Sequence, residues 1–336
     1  MVKNLAPDWA RKINYTHHSN PGTRHFSRAV FDKCYVRPRV DYAWKIIKGQ
    51  IEDNEISKEQ AGRIIKMYKY DSAPMIMGRT VQKIVDARLL DPDELEKTYQ
   101  QTNIEVEKDA RQELIDYTPF EHAPNDDLKH KACLDALDDT VEQAVNGILE
   151  AMKRLGINRL RGETNIFMED VPGIALPYNF KPDFSDQIEL KIKCPSVSSY
   201  IKKDGTRTIS KGKLPSILTP SWLNQVSAYY AHNKRRPSLV VANEDDYRIF
   251  DEHEEEFLLS EPSLVNAWEN ILAMLKAHEH NLKASYDYAM ANNFSNEEII
   301  LSVIRSVVPD FSDWSWKNIN PDFLEEARTM WGFNAN

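Results

Sequence analysis

The chain has 336 residues, 41% hydrophobic and 28% charged, with 43 Lys and Arg against 52 Asp and Glu for a net charge of −9. Only 11 Gly and 17 Pro exclude a collagen-like or low-complexity chain, and three scattered cysteines, Cys34, Cys133 and Cys194, exclude a disulfide framework and point to a reducing, cytoplasmic setting. No stretch resembles a signal peptide or a membrane span, and the global charge by itself argues against a nucleic-acid partner.

In chain order, residues 1–50 carry ten Lys and Arg against three Asp and Glu. With Pro21, Gly22 and Pro38 they read as an irregular basic arm leading into a helix near Tyr42–Ile51. His17, His18 and His25 read as loop residues, without metal-ligand spacing. Ser57 and Gln60 form a capping-box pattern that opens a helix from Lys58 to about Tyr70, and a second helix spans about Ala73 to Leu90. Residues 91–155 are helical in pattern, with Leu134, Leu137, Val141, Val145 and Leu149 at core spacing. The period then shortens, predicting strands at Asn165–Met168, Tyr178–Phe184, Ile188–Ile192, Leu239–Ala242 and Tyr247–Phe250, with one helix from about Ser221 to His232 between them. Leu264–Leu282 is helical, Ser295 with Glu298 caps another helix, and the tail ends in a short one. The implied class is α/β, a mixed α+β sheet flanked by helices. The organisation is a basic arm and helix (1–57), a core (58–283) with a helical insertion at about 91–155, and a small helical appendage (284–336).

Charge is not spread evenly. Residues 188–236 hold ten Lys and Arg against two Asp and Glu inside an otherwise acidic chain, a local feature that the global charge conceals. Within that block Ile188-Glu189-Leu190-Lys191-Ile192 alternates with period two, placing Glu189 and Lys191 on one face. The preceding strand carries Lys181 and Asp183 opposite Phe180, Pro182 and Phe184, and Ser185-Asp186-Gln187 has turn chemistry. Pairing Phe184 with Ile188 sets Asp183 across from Glu189 and Lys181 across from Lys191. Opposed carboxylates need a cation between them, and hard oxygen ligands point to Mg²⁺ or Mn²⁺. A metal on Asp183 and Glu189, with Lys191 neutralising developing charge, suits phosphodiester hydrolysis. The segment Lys202 to Arg207 reads as a hairpin with an Asp204-Gly205 type I′ turn. Lys202, Lys203, Arg207, Lys211 and Lys213 offer a groove wall for a nucleic-acid backbone, and Tyr200 and Trp222 offer rings for base stacking.

Pro182-Asp183 followed by Glu189-x-Lys191 resembles the signature of the PD-(D/E)xK nuclease superfamily. Asp127-Leu128-Lys129, the other acidic-x-Lys triplet, lies in a polar helix-like stretch and reads as a solvated face. Gln225-Val226-Ser227-Ala228-Tyr229 is similar to the Gln-h-x-x-Tyr motif of the RecB-like exonuclease branch, the phage and mitochondrial-genome-maintenance type. In that branch the Gln and Tyr stand near the metal. Glu163 stands where the branch often has a further metal-holding glutamate. Ser72-Ala73-Pro74 through Gly78 resembles the start of its N-terminal helix, with Gln82 in place of the usual His. The resemblance covers about residues 58–283. It implies a restriction-endonuclease-like core, a Mg²⁺-dependent DNA exonuclease acting on single strands or exposed ends, and Asp183, Glu189, Lys191, Gln225 and Tyr229 as its catalytic set. The branch's four-cysteine cluster is missing, so no iron–sulfur centre is expected. A structure-specific endonuclease and a decayed DNA-binding module remain the alternatives.

Overall fold

In chain order the helices and strands of the computed structural model are α1 (Asp8–Ile13), β1 (His17–His18), α2 (Thr23–Phe31), a π-helical turn (Asp32–Val36), α3 (Arg37–Ile47), α4 (Lys58–Tyr68), α5 (Ala73–Leu89), α6 (Pro92–Tyr99), α7 (Asn103–Ile115), α8 (Asp126–Leu155), β2 (Ile166–Met168), β3 (Tyr178–Phe180), β4 (Ile188–Ile192), β5 (Ser196–Ile201), β6 (Arg207–Ser210), α9 (Pro220–Asn233), β7 (Ser238–Ala242), β8 (Tyr247–Phe250), α10 (Glu261–Ala291), α11 (Asn296–Arg305) and α12 (Pro321–Met330). The structure describes residues 7–13, 15–18, 23–52, 56–68, 72–119, 125–253, 259–313, 316 and 319–333. Helices and small mixed sheets make this a mixed α/β protein. Among the described residues no helix is long and apolar enough to cross a membrane.

Contacts divide the chain into two units, one of residues 71–166 and 180–269, the other of 1–70, 167–179 and 270–336. The first is built on a sheet in the order β4-β7-β8. β4 runs parallel to β7 with Glu189 beside Leu239, and β7 runs antiparallel to β8. A parallel pair needs a crossover, which β5, β6 and α9 supply. Ile188 and Leu190 of β4 join Val240 and Ala242 of β7 in one apolar core with residues of α5 and α8. α8 lies tight on the sheet because Gly147 has no side chain: a Cβ there would sit 2.5 Å from Val240 Cγ1 and 3.2 Å from the Tyr247 ring. Since β residues alternate faces, Glu189 and Lys191 point away from this core. Two of the cysteines are closer in space than in sequence: Cys194, just beyond β4, stands near enough to the Cys133 thiol of α8 to push its pKa up.

In the second unit a core of Trp9, Ile13, Phe26, Phe31, Trp316, Phe323 and neighbours gathers α1, α2, α11 and α12. Residues 23–47, expected to begin as an irregular arm, are helical throughout. Pro38 has no N–H to donate and its ring crowds the carbonyl four residues back. The preceding π turn widens the ladder there, with the Arg37 N–H donating to Asp32 O. His17 and His18, expected in a loop, pair in parallel with Tyr178 and Asn179, and His25 lies in α2. His17 is buried, with Nε2 bonded to Glu279 Oε1 at 3.0 Å.

Candidate active site

Ahead of β4 the chain turns back through Ser185 (φ +50°) and Asp186 (φ +58°), with Phe184 bridged to Ile188 as the sequence pattern required. Two positive φ values are the geometry of a type I′ turn, unfavourable for residues with a Cβ, so the surroundings must hold it. Ser185 Oγ accepts from Arg161 N (3.0 Å), the Ser185 N–H donates to Arg161 O (2.9 Å), Asp186 pairs with the Arg161 guanidinium (3.0 Å), Asn233 Nδ2 donates to Asp186 O (2.8 Å), and Gln187 Nε2 donates to Arg236 O (2.7 Å). The ladder ends at this one bridge, and the strand expected over Tyr178–Phe184 stops at Phe180, because Pro182 cannot donate to a ladder. Asp183 therefore does not face Glu189 in register; its Oδ2 accepts the Leu190 N–H at 2.7 Å. Lys181 turns to Glu163 at 2.5 Å rather than standing across from Lys191.

Glu189 is the centre of the site. It is 2% exposed, and three donors meet its carboxylate: Lys191 Nζ and Gln225 Nε2 (2.5 Å) on Oε1, and the Tyr229 hydroxyl (2.5 Å) on Oε2. Gln225 and Tyr229 are four apart on α9 and so share a helix face, and Gln225 Nε2 also donates to the Tyr229 hydroxyl at 3.1 Å. The Tyr229 ring stacks on Phe180 at 5.4 Å between centroids. Burial, then the Glu189 and Asp183 charges, push the Tyr229 hydroxyl well above its usual pKa, so it stays a donor. Burial works against the Lys191 charge, but Glu189 and Asp183 outweigh it and raise its pKa. The Asp183 carboxyl is held well above the usual carboxylate range by burial and by Glu189, against the pull of Lys191 and the Leu190 N–H.

A further buried acid, which sequence reasoning missed, stands within the field of Glu163. Asp86 of α5, 1% exposed, accepts from Gln82 Nε2 at 3.1 Å and from the Tyr99 hydroxyl. Burial pushes its carboxyl up to about 7, and Glu163 adds to the rise. Glu163 also raises Asp183, so this carboxylate is felt by both acids. The signal available was an aspartate beside Val81, Ile84 and Val85 on the helix, four residues after Gln82.

The basic stretch is a hairpin, β5 on β6, but its turn is not type I′. Gly205 N donates to Lys202 O, Lys202 N donates to Thr206 O, and only Gly205 has positive φ (+80°), the pattern of a type I turn with a glycine bulge. Lys202, Lys203 and Lys213 are exposed and Tyr200 is 68% exposed. Arg207 is spent on the Ser198 and Ser199 carbonyls of its own hairpin, and Lys211 is paired with Asp245. The Trp222 ring carries Lys193 on one face at 4.6 Å, and burial and Lys191 lower the Lys193 pKa. Gly212 abuts the chain just beyond β4, where a Cβ would fall 1.8 Å from Lys193 O.

A hard divalent cation fits this donor set in kind. Asp183 and Glu189 are oxygen ligands whose mutual repulsion a cation relieves. Among the described residues no group of three or more His, Cys, Asp and Glu stands ready to hold a metal, and Glu163, expected as the third ligand, pairs with Lys181. Mg²⁺ characteristically takes one or two carboxylates and completes its shell with water and substrate phosphate. Comparison with family models, with curated proteins and with solved structures found no match.

Proposed function

We propose that the chain is a metal-dependent deoxyribonuclease of the PD-(D/E)xK kind, an exonuclease that hydrolyses phosphodiester bonds from single-stranded or exposed DNA ends. The observation that carries this reading is the convergence of Lys191, Gln225 and Tyr229 on the buried Glu189, with Asp183 felt by both Glu189 and Lys191. An acid so enclosed and triply bonded is fixed in one orientation, which is what a reacting centre requires. Mg²⁺ or Mn²⁺ held by Asp183 and Glu189 supplies Lewis-acid polarisation of the scissile phosphate and an acidified water. The protein contributes the rest. Tyr229 and Gln225 fix the Glu189 carboxylate, the Leu190 N–H fixes Asp183, and the Lys191 ammonium offsets negative charge on the phosphate as it passes through the transition state. Exposed Lys202, Lys203 and Lys213 attract the backbone and Tyr200 offers a stacking face.

End-labelled linear single-stranded and duplex DNA and closed circular DNA, incubated with Mg²⁺, Mn²⁺ or EDTA, test the reading. Linear substrates are expected to be cut in metal and spared in EDTA, and Lys191→Ala is expected to abolish cutting in a folded protein. Cleavage of closed circles replaces the exonuclease with the endonuclease, and equal activity in EDTA refutes the metal mechanism.

A further inference from the structure

The basic charge of the first fifty residues has no role in the site described above. Part of it is gathered around a cavity of about 460 Å³ lined by Thr16, Lys33, Arg37, Pro38, Asp41, Tyr42 and Lys45. Residues four apart on a helix share a face, so Lys33, Arg37, Asp41 and Lys45 form one row along the π turn and α3. Arg37 spends its Nε on Asp32 at 3.0 Å. Lys33 and Lys45 make no hydrogen bond or ion pair with any described residue. Asp41 is the one acid among the lining residues, and Asp32 pairs with Arg37 beside Lys33, so three cations and two anions leave the surroundings of the cavity one charge positive. Lys33 is half-buried, and burial followed by the neighbouring Arg37 charge lowers its pKa. Asp32 pairs with Arg37 and offsets only part of this cost at Lys33, and a partly desolvated cation beside a second cation is stabilised by a further anion. Next to this row stand exposed aromatics, Tyr42 in the lining and Trp44 with the Lys48 ammonium 5.8 Å over its ring. The π turn that sets the row is of the kind enriched at functional sites.

We infer that this cavity is a second nucleic-acid subsite, in which Lys33, Arg37 and Lys45 take the phosphates of a single strand and Tyr42 stacks on a base. Cations interleaved with exposed rings are how single strands are bound without sequence preference. The choice of DNA as the occupant rests on the nuclease reading, whereas the anion-binding chemistry rests on the cavity alone.

The test is binding of a fluorescein-labelled mixed-sequence single-stranded oligonucleotide by the full chain in EDTA, as a function of salt. Each phosphate neutralised on a single strand contributes about 0.7 to the slope of log affinity against log salt. Lys33→Ala with Lys45→Ala is therefore expected to lower that slope by about 1.4 and to weaken binding about 25-fold at about 0.1 M salt. Lys33→Arg with Lys45→Arg should bind as the wild type does, and Tyr42→Ala should weaken binding without altering the slope. An unchanged slope in the double alanine variant overturns the inference, as does a wild type that does not bind the oligonucleotide. Cleavage is scored separately in Mg²⁺. A protein that binds through these lysines but cuts nothing refutes the nuclease and leaves the subsite standing. A protein that cuts, with binding indifferent to the lysines, does the reverse.

Discussion

Replacing Tyr229 by Phe isolates one hydrogen bond of the site. The hydroxyl is fully buried and donates to Glu189 Oε2 at 2.5 Å. Phenylalanine keeps the ring and its stack on Phe180, so packing is conserved and no cavity larger than an oxygen appears. What is lost is the donor on Oε2, because Gln225 and Lys191 both address Oε1. Hydrogen bonds to charged groups contribute about 1.5–3 kcal/mol each, and a buried acceptor left without a partner keeps its desolvation cost. At about 1.4 kcal/mol per factor of ten, native-state hydrogen-exchange protection of the β4 and β7 amides should fall about 10- to 150-fold. Exchange reads the opening of these strands directly and does not require the two units to unfold together. DNA cleavage should fall with it, since Glu189 loses one of its three anchors, while oligonucleotide affinity in EDTA should not change. Protection within twofold of wild type, with cleavage intact, would mean that Tyr229 does not orient Glu189 and that the site as described is wrong.

Three further perturbations probe the surroundings of the site. Asp86 has a folded-state pKa of about 7 against an ordinary 3.8, so the folded protein holds this proton longer than the unfolded chain. The Asp86 contribution to stability is then greatest below about pH 4 and declines as pH rises towards about 7, by at most roughly 4 kcal/mol; thermal unfolding in EDTA should show a smaller decline over this range in Asp86→Asn than in the wild type, and a decline of equal size in the variant refutes the assignment. Gly147→Ala gains about 1 kcal/mol of helix propensity but sets a Cβ 2.5 Å from Val240 Cγ1, and overpacking costs about 1–3 kcal/mol. The variant should melt below wild type, and a rise in melting temperature would show that α8 is free to shift. Gly212→Ala meets the backbone oxygen of Lys193, which cannot swing aside as a side chain can; it should lower both the melting temperature and cleavage, whereas full activity would separate this contact from the proposed role of β4.

Much of this architecture follows from local pattern. The period-two run Ile188–Ile192 is β4, the bridge of Phe184 to Ile188 forms, and the capping boxes of Ser57 with Gln60 and Ser295 with Glu298 open helices as read. Gln225 and Tyr229 lie four apart on α9, and the face they share is a property of the helix itself. These features depend on residues close in sequence, whose periodicity and turn chemistry act over a few positions. Other features depend on partners that the local pattern does not contain. Asp204-Gly205 carries a type I′ signal yet adopts a bulged type I turn, while Ser185-Asp186, poorer in intrinsic preference, takes the positive φ values because Arg161, Asn233 and Arg236 hold it there. Asp86 joins the acidic neighbourhood because α5 is buried against α7 and α8, and Tyr99 reaches it from α6. Cys133 meets Cys194, and Pro38 sits inside a helical run because the π turn ahead of it absorbs the missing donor. Residue spacing determined which side chains share a face; which faces meet, which acids lose their water and which cations are left without an acid were decided by packing over distances that spacing does not encode.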